Sequence, residues 1–279
     1  MDIQSNTVQT DGFTMDYFRF GSGEKALVIL PGLSVDSIMK YAGAVSEAYS
    51  LLTDDFSVYV FDRKKELSAA YSVYEMAEDT AAAIRVLGLD PVSLFGASQG
   101  GMIALTIAAK YPEIVSKLVL GSTSACVAQE QYQTIENWIQ LAKAGNAKSL
   151  YLAFGKAIYP PDVFEHSRNL LAAASETVTE EDLHRFMILA AGIKGFDVTE
   201  QLKEISCPVL VIGSLDDCVL GAEASEQIAE QLKERANCEL YLYHGYGHAA
   251  YDLAPDYKER LLSFLADKPI VSKPKHSRI

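Results

Sequence analysis

Short apolar, β-branched runs recur at residues 13–20, 26–30, 56–61, 92–95, 117–120, 208–212 and 239–243, each of strand length. The first alternates apolar and polar positions like an exposed antiparallel edge and ends in Gly21-Ser22-Gly23, a turn. The runs from residue 26 onward are almost continuously apolar, as strands of a parallel sheet are when both faces are covered. Between them, residues 38–52, 74–87, 99–110, 222–234 and 255–265 carry apolar positions at helical spacing. Alternating strand and helix predicts the α/β class, with a doubly wound, mostly parallel sheet and helices on both faces.

Residues 125–198 break this rhythm. They hold no convincing strand but several helical patterns, including 132–144 and 180–191, separated by Gly145-Asn146 and Pro160-Pro161. The expectation is a helical cap at 125–198, inserted into a core made of 1–124 and 199–267. Residues 268–279 follow as a flexible basic tail, with Lys268, Lys273, Lys275 and Arg278 and no acid.

Composition narrows the picture. The 279 residues include 24 Lys or Arg and 37 Asp or Glu, a net charge of -13, which excludes a sequence-independent grip on nucleic acid. Hydrophobic residues at 49% and charged residues at 22% belong to a globular chain with a core. The polar start lacks the basic and apolar segments of a secretory signal, and no apolar run approaches the roughly 20 residues that span a bilayer. A soluble cytoplasmic protein with no membrane partner is expected. Cys126, Cys207, Cys218 and Cys238 are scattered without a Cys-x-x-Cys pair, as reduced thiols would be, and no metal or other cofactor is implied.

The chemistry-bearing motif follows the run 92–95: Gly96-Ala97-Ser98-Gln99-Gly100-Gly101 leads directly into an apolar helix. A sharp strand-to-helix turn lifts a serine hydroxyl above the sheet, flanking glycines relieve crowding, and the helix N-terminus favours negative charge there. A lone Gly-x-Ser-x-Gly is weak evidence. Here the segments after the next two strand signals, Ser214-Leu215-Asp216-Asp217-Cys218-Val219 and His244-Gly245-Tyr246-Gly247-His248, supply an acid and a base in the order Ser, Asp, His.

That trio has a purpose: a serine hydroxyl becomes nucleophilic at neutral pH when an imidazole takes its proton, and a carboxylate must hold the imidazole in the right tautomer. Ser98 is the expected nucleophile and His248 the base, with His244 a rival at the strand end and His166, His184 and His276 read as surface residues. Asp216 and Asp217 both sit at the right edge of the sheet, and Asp216 is also suited to cap its own turn. An oxyanion site needs two backbone donors, for which the spacing offers Gln99 N–H and Leu33 N–H in the loop Pro31-Gly32-Leu33-Ser34.

Over essentially residues 13–265 the chain resembles the α/β-hydrolase superfamily, in its serine-nucleophile branch with a helical cap. The carriers are Leu30-Pro31-Gly32-Leu33, Gly96-Ala97-Ser98-Gln99-Gly100-Gly101, Asp217-Cys218-Val219 and Gly247-His248. The resemblance places the acid two residues before an aliphatic, which Val219 satisfies, and so favours Asp217. It departs from the pattern where Pro31 replaces a common His before Gly32. It implies acyl-transfer chemistry but not a substrate, since one fold hosts many functions; the expectation is a small-molecule acyl substrate with an apolar portion, ester cleavage first, with lactone, amide or C–C bond cleavage, or slow-turnover ligand reception, as alternatives. Asp62-Arg63 resembles a structural loop of the family. Tyr132, Trp138, Phe154, Tyr159, Phe164, Phe186 and Phe196 either line an acyl pocket or hold the cap helices together.

Overall fold

The computed structural model of the protein describes residues 2–233 and 237–270. Its centre is an eight-stranded sheet of β1 (Gln4–Gln9), β2 (Thr14–Phe20), β3 (Lys25–Leu30), β4 (Phe56–Lys64), β5 (Val92–Ala97), β6 (Val115–Gly121), β7 (Val209–Ser214) and β8 (Cys238–Tyr243). The spatial order is β1-β2-β4-β3-β5-β6-β7-β8. The first two pairings, β1 with β2 and β2 with β4, are antiparallel, and the rest are parallel.

Burial follows the apolar pattern. Every residue of β5 and β7 is buried, whereas β2 alternates. Strand β1 escapes the hydrophobic reading because Val8 is its single buried residue. It forms by pairing along β2, from Gln4 opposite Arg19 to Gln9 opposite Thr14.

Successive residues of a strand point to opposite faces, so the sheet divides the core in two. Val28, Leu30, Leu94, Leu118, Leu120, Val209 and Val211 face one cluster, which includes α2 (Val73–Val86), α3 (Gln99–Lys110) and α8 (Ala224–Leu232). Leu27, Ile29, Phe95, Val119, Leu210 and Ile212 face the other, beneath α10 (Tyr257–Ala266). Helix α3 is buried on all sides as far as Ala109, which suits its apolar sequence. Ser72 and Glu75 form a capping box that starts α2.

The expected helix at 38–52 is instead three pieces: a 3-10 turn Ile38–Tyr41, α1 (Ala42–Ala48) and a 3-10 turn Ser50–Leu52. Gly43, Val45, Ser46, Tyr49 and Ser50 give this stretch low intrinsic helicity, and tertiary contacts decide its path.

Between β6 and β7 lie α4 (Gln129–Lys143), α5 (Ala147–Ile158), α6 (Pro161–Ala174) and α7 (Glu180–Ala191). Gly145, with φ +69°, separates α4 from α5, and Asn146 caps α5 through the Ser149 N–H. Thr179 and Asp182 form a capping box for α7. The excursion leaves and returns at one place: Val127 N–H donates to Phe196 O at 2.9 Å and Val198 N–H to Ala125 O at 2.8 Å.

A short helix α9 (Ala250–Leu253) precedes α10. Of the expected tail, the exposed Lys268 pairs with Asp55 at 2.6 Å, and 271–279 lie outside the described residues. Among the described residues, no helix is long and apolar enough to cross a membrane, no group of three or more His, Cys, Asp or Glu is placed to hold a metal, and the four cysteines are free thiols.

Candidate active site

Ser98 occupies the junction of β5 and α3 with φ +52° and ψ -121°, a conformation non-glycine residues rarely adopt and which costs about 1–3 kcal/mol. Its surroundings hold it there. Ser98 N–H donates to Gly121 O at 2.8 Å, and Ser98 O accepts from Thr123 Oγ1 at 2.7 Å and Gly101 N–H at 2.9 Å. The neighbouring glycines are sterically required: a Cβ at Gly96 would lie 2.3 Å from Gly100 O, and one at Gly100 would lie 2.0 Å from Leu30 O.

His248 follows β8 in a 3-10 turn, Gly247–Ala249, and is 2% exposed. Its Nε2 stands 2.9 Å from Ser98 Oγ and its Nδ1 2.8 Å from Asp217 Oδ2. The second oxygen of Asp217 accepts from Val219 N–H at 2.8 Å and Leu220 N–H at 3.1 Å. Burial opposes ionisation of Asp217, but the adjacent imidazole and the two backbone donors outweigh it and hold the carboxyl below the ordinary range. An ionised Asp217 accepts from a His248 Nδ1–H, which leaves Nε2 free to accept from the Ser98 hydroxyl.

Asp216 faces elsewhere. Its carboxylate accepts from Gly245 N–H and lies 3.2 Å from Nδ1 of the exposed His244, so it braces the loop that carries His248 instead of capping its own turn. His166 and His184 are exposed on the excursion helices, and His276 lies outside the described residues.

The loop after β3 passes over Ser98: a Cβ at Gly32 would come 3.2 Å from Ser98 Cβ. Leu33 and Gln99, the two expected backbone donors, flank this approach and are both buried. The Gln99 side chain donates through Nε2 to Leu189 O at 2.7 Å, tying the elbow to α7.

Arg63 completes this region in a way the sequence conveyed only as a structural loop. Its Nη2 donates to Pro31 O at 2.8 Å and lies 3.3 Å from Gln99 Oε1, so one guanidinium joins the loop after β3 to the elbow. Burial pushes Arg63 down to about 10, partly offset by Asp62, and its Nε has no partner among the described residues.

Two compartments lie between the sheet and the excursion. A small one of about 20 Å³ is bounded by Ser98, His248, Met102, Trp138 and Leu220 among others. A larger one of about 440 Å³ shares Gly32, Leu33, Phe154, Ile158 and Tyr251 with it, and its size suits a small organic molecule. Of the aromatics singled out in the excursion, Trp138, Phe154 and Tyr159 line these spaces. Tyr132, Phe164, Phe186 and Phe196 are packed away, so both expected uses of that set occur.

Asp36, in the segment after β3, is a further contact that sequence spacing could not reveal. It accepts from Lys40 Nζ at 2.6 Å, Tyr41 OH at 2.8 Å and, from α5, Tyr151 OH at 2.5 Å. Burial works against its charge, yet these three donors hold the carboxyl below its usual value.

A mostly parallel sheet with a serine at the β5–α3 elbow, and an acid and a histidine at the ends of β7 and β8, defines an α/β-hydrolase, an enzyme of the serine-hydrolase branch. Within that superfamily the chain belongs to the serine aminopeptidase S33 family, whose profile matches residues 23–252. The protein described as "Putative carbamate hydrolase RutD" of Agrobacterium fabrum is 26% identical over 223 residues, covering 77% of this chain and 84% of its own. "Serine hydrolase BPHL" of Mus musculus is 30% identical over 152 residues, 50% of this chain and 52% of its own. Among solved structures, MGS-M2, an α/β-hydrolase enzyme from a Medee basin deep-sea metagenome library, superposes with a TM-score of 0.82 at 22% identity, covering 98% of this chain and 100% of that one. At that identity the likeness concerns the fold.

Proposed function

We propose that the protein is a serine hydrolase that cleaves a carboxylic ester or related acyl bond through an acyl-enzyme on Ser98. The observation that carries this reading is the continuous chain from Asp217 through both nitrogens of His248 to Ser98 Oγ, at 2.8 and 2.9 Å.

In the first half-reaction Ser98 Oγ bonds to the substrate carbonyl carbon while its proton passes to His248 Nε2. The carbonyl oxygen takes the negative charge and is met by Leu33 and Gln99 backbone N–H groups. As the tetrahedral adduct collapses, the C–O bond to the alcohol breaks and Nε2 returns its proton to that oxygen. Water then attacks the acyl carbon, giving its proton to Nε2, and the departing Ser98 Oγ recovers it as the carboxylic acid leaves. Asp217 stays ionised throughout and stabilises the transient imidazolium.

Residues 125–198 act as the cap that roofs this chemistry, a role supported by Trp138, Phe154 and Ile158 in the walls beside Ser98. The mainly apolar lining supports a substrate with an apolar portion, and no cofactor enters the scheme. A carbamate, which the relative RutD is described as hydrolysing, presents a carbonyl that the same steps would open. Turnover of matched esters, lactones, carbamates, amides and C–C substrates by wild type and Ser98→Ala tests the reading. Ester turnover that depends on Ser98 is expected, and undiminished turnover by Ser98→Ala would remove it.

A further inference from the structure

The larger compartment reaches down to the sheet, where Ile29 of β3, Val60 of β4 and Phe95 of β5 line it beside Tyr49. The space at Ser98 itself measures about 20 Å³, room for about one water, so an extended arm of a substrate held there has the 440 Å³ compartment to lie in. Tyr251 joins the two. It lines both, and its ring stands edge-on to the His248 ring with centroids 6.2 Å apart.

Apart from Ser34, Asp36 and Asp252, the polar side chains around this compartment are tyrosines, at positions 41, 49, 151, 159 and 251. Tyr41 and Tyr151 direct their hydroxyls to Asp36. The hydroxyls of Tyr49, Tyr159 and Tyr251 have no hydrogen-bond partner among the described residues, although Tyr49 is only 8% exposed. None of the three is among the sealed polar atoms of the core, so open space reaches them, and the compartment is the space that they line. Burial raises all three phenols, so each stays a neutral donor and acceptor. No Lys, Arg or His lines the compartment to receive an anion.

We propose that this compartment is a subsite for an uncharged, oxygen-bearing arm of the substrate, and that the hydroxyls of Tyr49, Tyr159 and Tyr251 read that oxygen while the scissile carbonyl lies at Ser98. The inference rests on the acyl-enzyme reading of Ser98 and names the class of substrate that site takes: one with an ether, hydroxyl or carbonyl oxygen on a mainly apolar arm. A plain alkyl arm would displace water from these hydroxyls and return no partner, which is costly. An oxygen in their reach restores the hydrogen bonds, and the carbon skeleton that carries it packs on Ile29, Val60 and Phe95. Sites built to hydrogen-bond a substrate oxygen discriminate against analogues that lack it, which makes these tyrosines specificity-determining residues.

The test uses two ester series of graded length followed by proton release, one varied on the acyl side and one on the alcohol side, so that whichever side enters the compartment is read. In each, an ester with an ether oxygen or a terminal hydroxyl on the arm is paired with the isostere in which carbon replaces that oxygen, and with a charged member of either sign. Rates are divided by those of hydroxide hydrolysis to remove intrinsic reactivity. In at least one series the neutral oxygen ester should be preferred over its carbon isostere by about threefold to thirtyfold in kcat/KM, mainly through KM. The preference should fall in one or more of Tyr49→Phe, Tyr159→Phe and Tyr251→Phe, and reverse in favour of carbon when all three are combined. The wild-type comparison stands apart from the folding of any variant. Preference for the carbon isostere or for a charged member in both series, or an oxygen preference that survives the triple replacement, would overturn the subsite. If Ser98→Ala still turns over the esters, the acyl-enzyme reading has failed and the subsite falls with it; turnover that depends on Ser98 but shows no oxygen preference overturns the subsite alone.

Discussion

The guanidinium of Arg63 donates to the carbonyl oxygen of Pro31 at 2.8 Å from within the core, and thereby fixes the loop that passes over Ser98. Where the family commonly has a His before the loop glycine, this chain has Pro31, which offers no N–H and no side-chain donor, so the loop is held through its carbonyl. Arg63→Met should leave Pro31 O and Gln99 Oε1 without their shared donor, and a hydrogen bond to a charged group contributes about 1.5–3 kcal/mol. The expected result is a drop in kcat of about tenfold to a hundredfold with little change in KM, and slower fluorophosphonate labelling of Ser98.

The two adjacent aspartates should separate cleanly. Asp217→Asn removes the carboxylate that fixes the His248 tautomer and should lower kcat by about 10⁴. Asp216→Asn weakens the brace to Gly245 and His244 and should act mainly on stability, by about 0–1 kcal/mol for so exposed a pair, with little effect on turnover. Steady-state kinetics beside urea unfolding of both variants checks this, and a reversed pattern would move the acid to Asp216.

Asp36 joins the segment after β3 to α5 through Tyr151, while Lys40 also lies 3.7 Å from Asp182 on α7. This cluster ties the excursion to the sheet. Tyr151→Phe should cost about 1.5–3 kcal/mol and raise amide hydrogen exchange in α5 before it affects β5 or β6. Uniform acceleration across the sheet would argue against a local tie.

Acid should expose the same carboxylates. Asp36 and Asp217 both have folded values below the ordinary one, so the stability they contribute is complete above about pH 3.9 and is lost as pH falls through their lower folded values. Asp36→Asn should therefore destabilise the protein at neutral pH. Urea midpoints from pH 3 to 8 read this loss.

Legibility in the sequence followed the physics of each feature. The buried parallel strands, such as Val209–Ser214, announce themselves because both faces must be apolar. Ser98, Asp217 and His248 stand out because short loops at strand ends carry them. Strand β1 was hidden, since pairing with β2 rather than burial forms it. The contacts of Arg63 with Pro31 and of Asp36 with Tyr151 span 32 and 115 residues, and no local pattern encodes such distances.

The most direct measurement is a rapid-quench reaction of wild type with a slowly deacylated chromogenic ester, followed by mass analysis of the trapped protein. The mechanism predicts a burst of about one leaving group per active site. It also predicts an acyl adduct confined to the peptide bearing Ser98, absent in Ser98→Ala and formed far more slowly in His248→Ala. Steady turnover with no adduct on Ser98, or an adduct that maps to another residue, would contradict it.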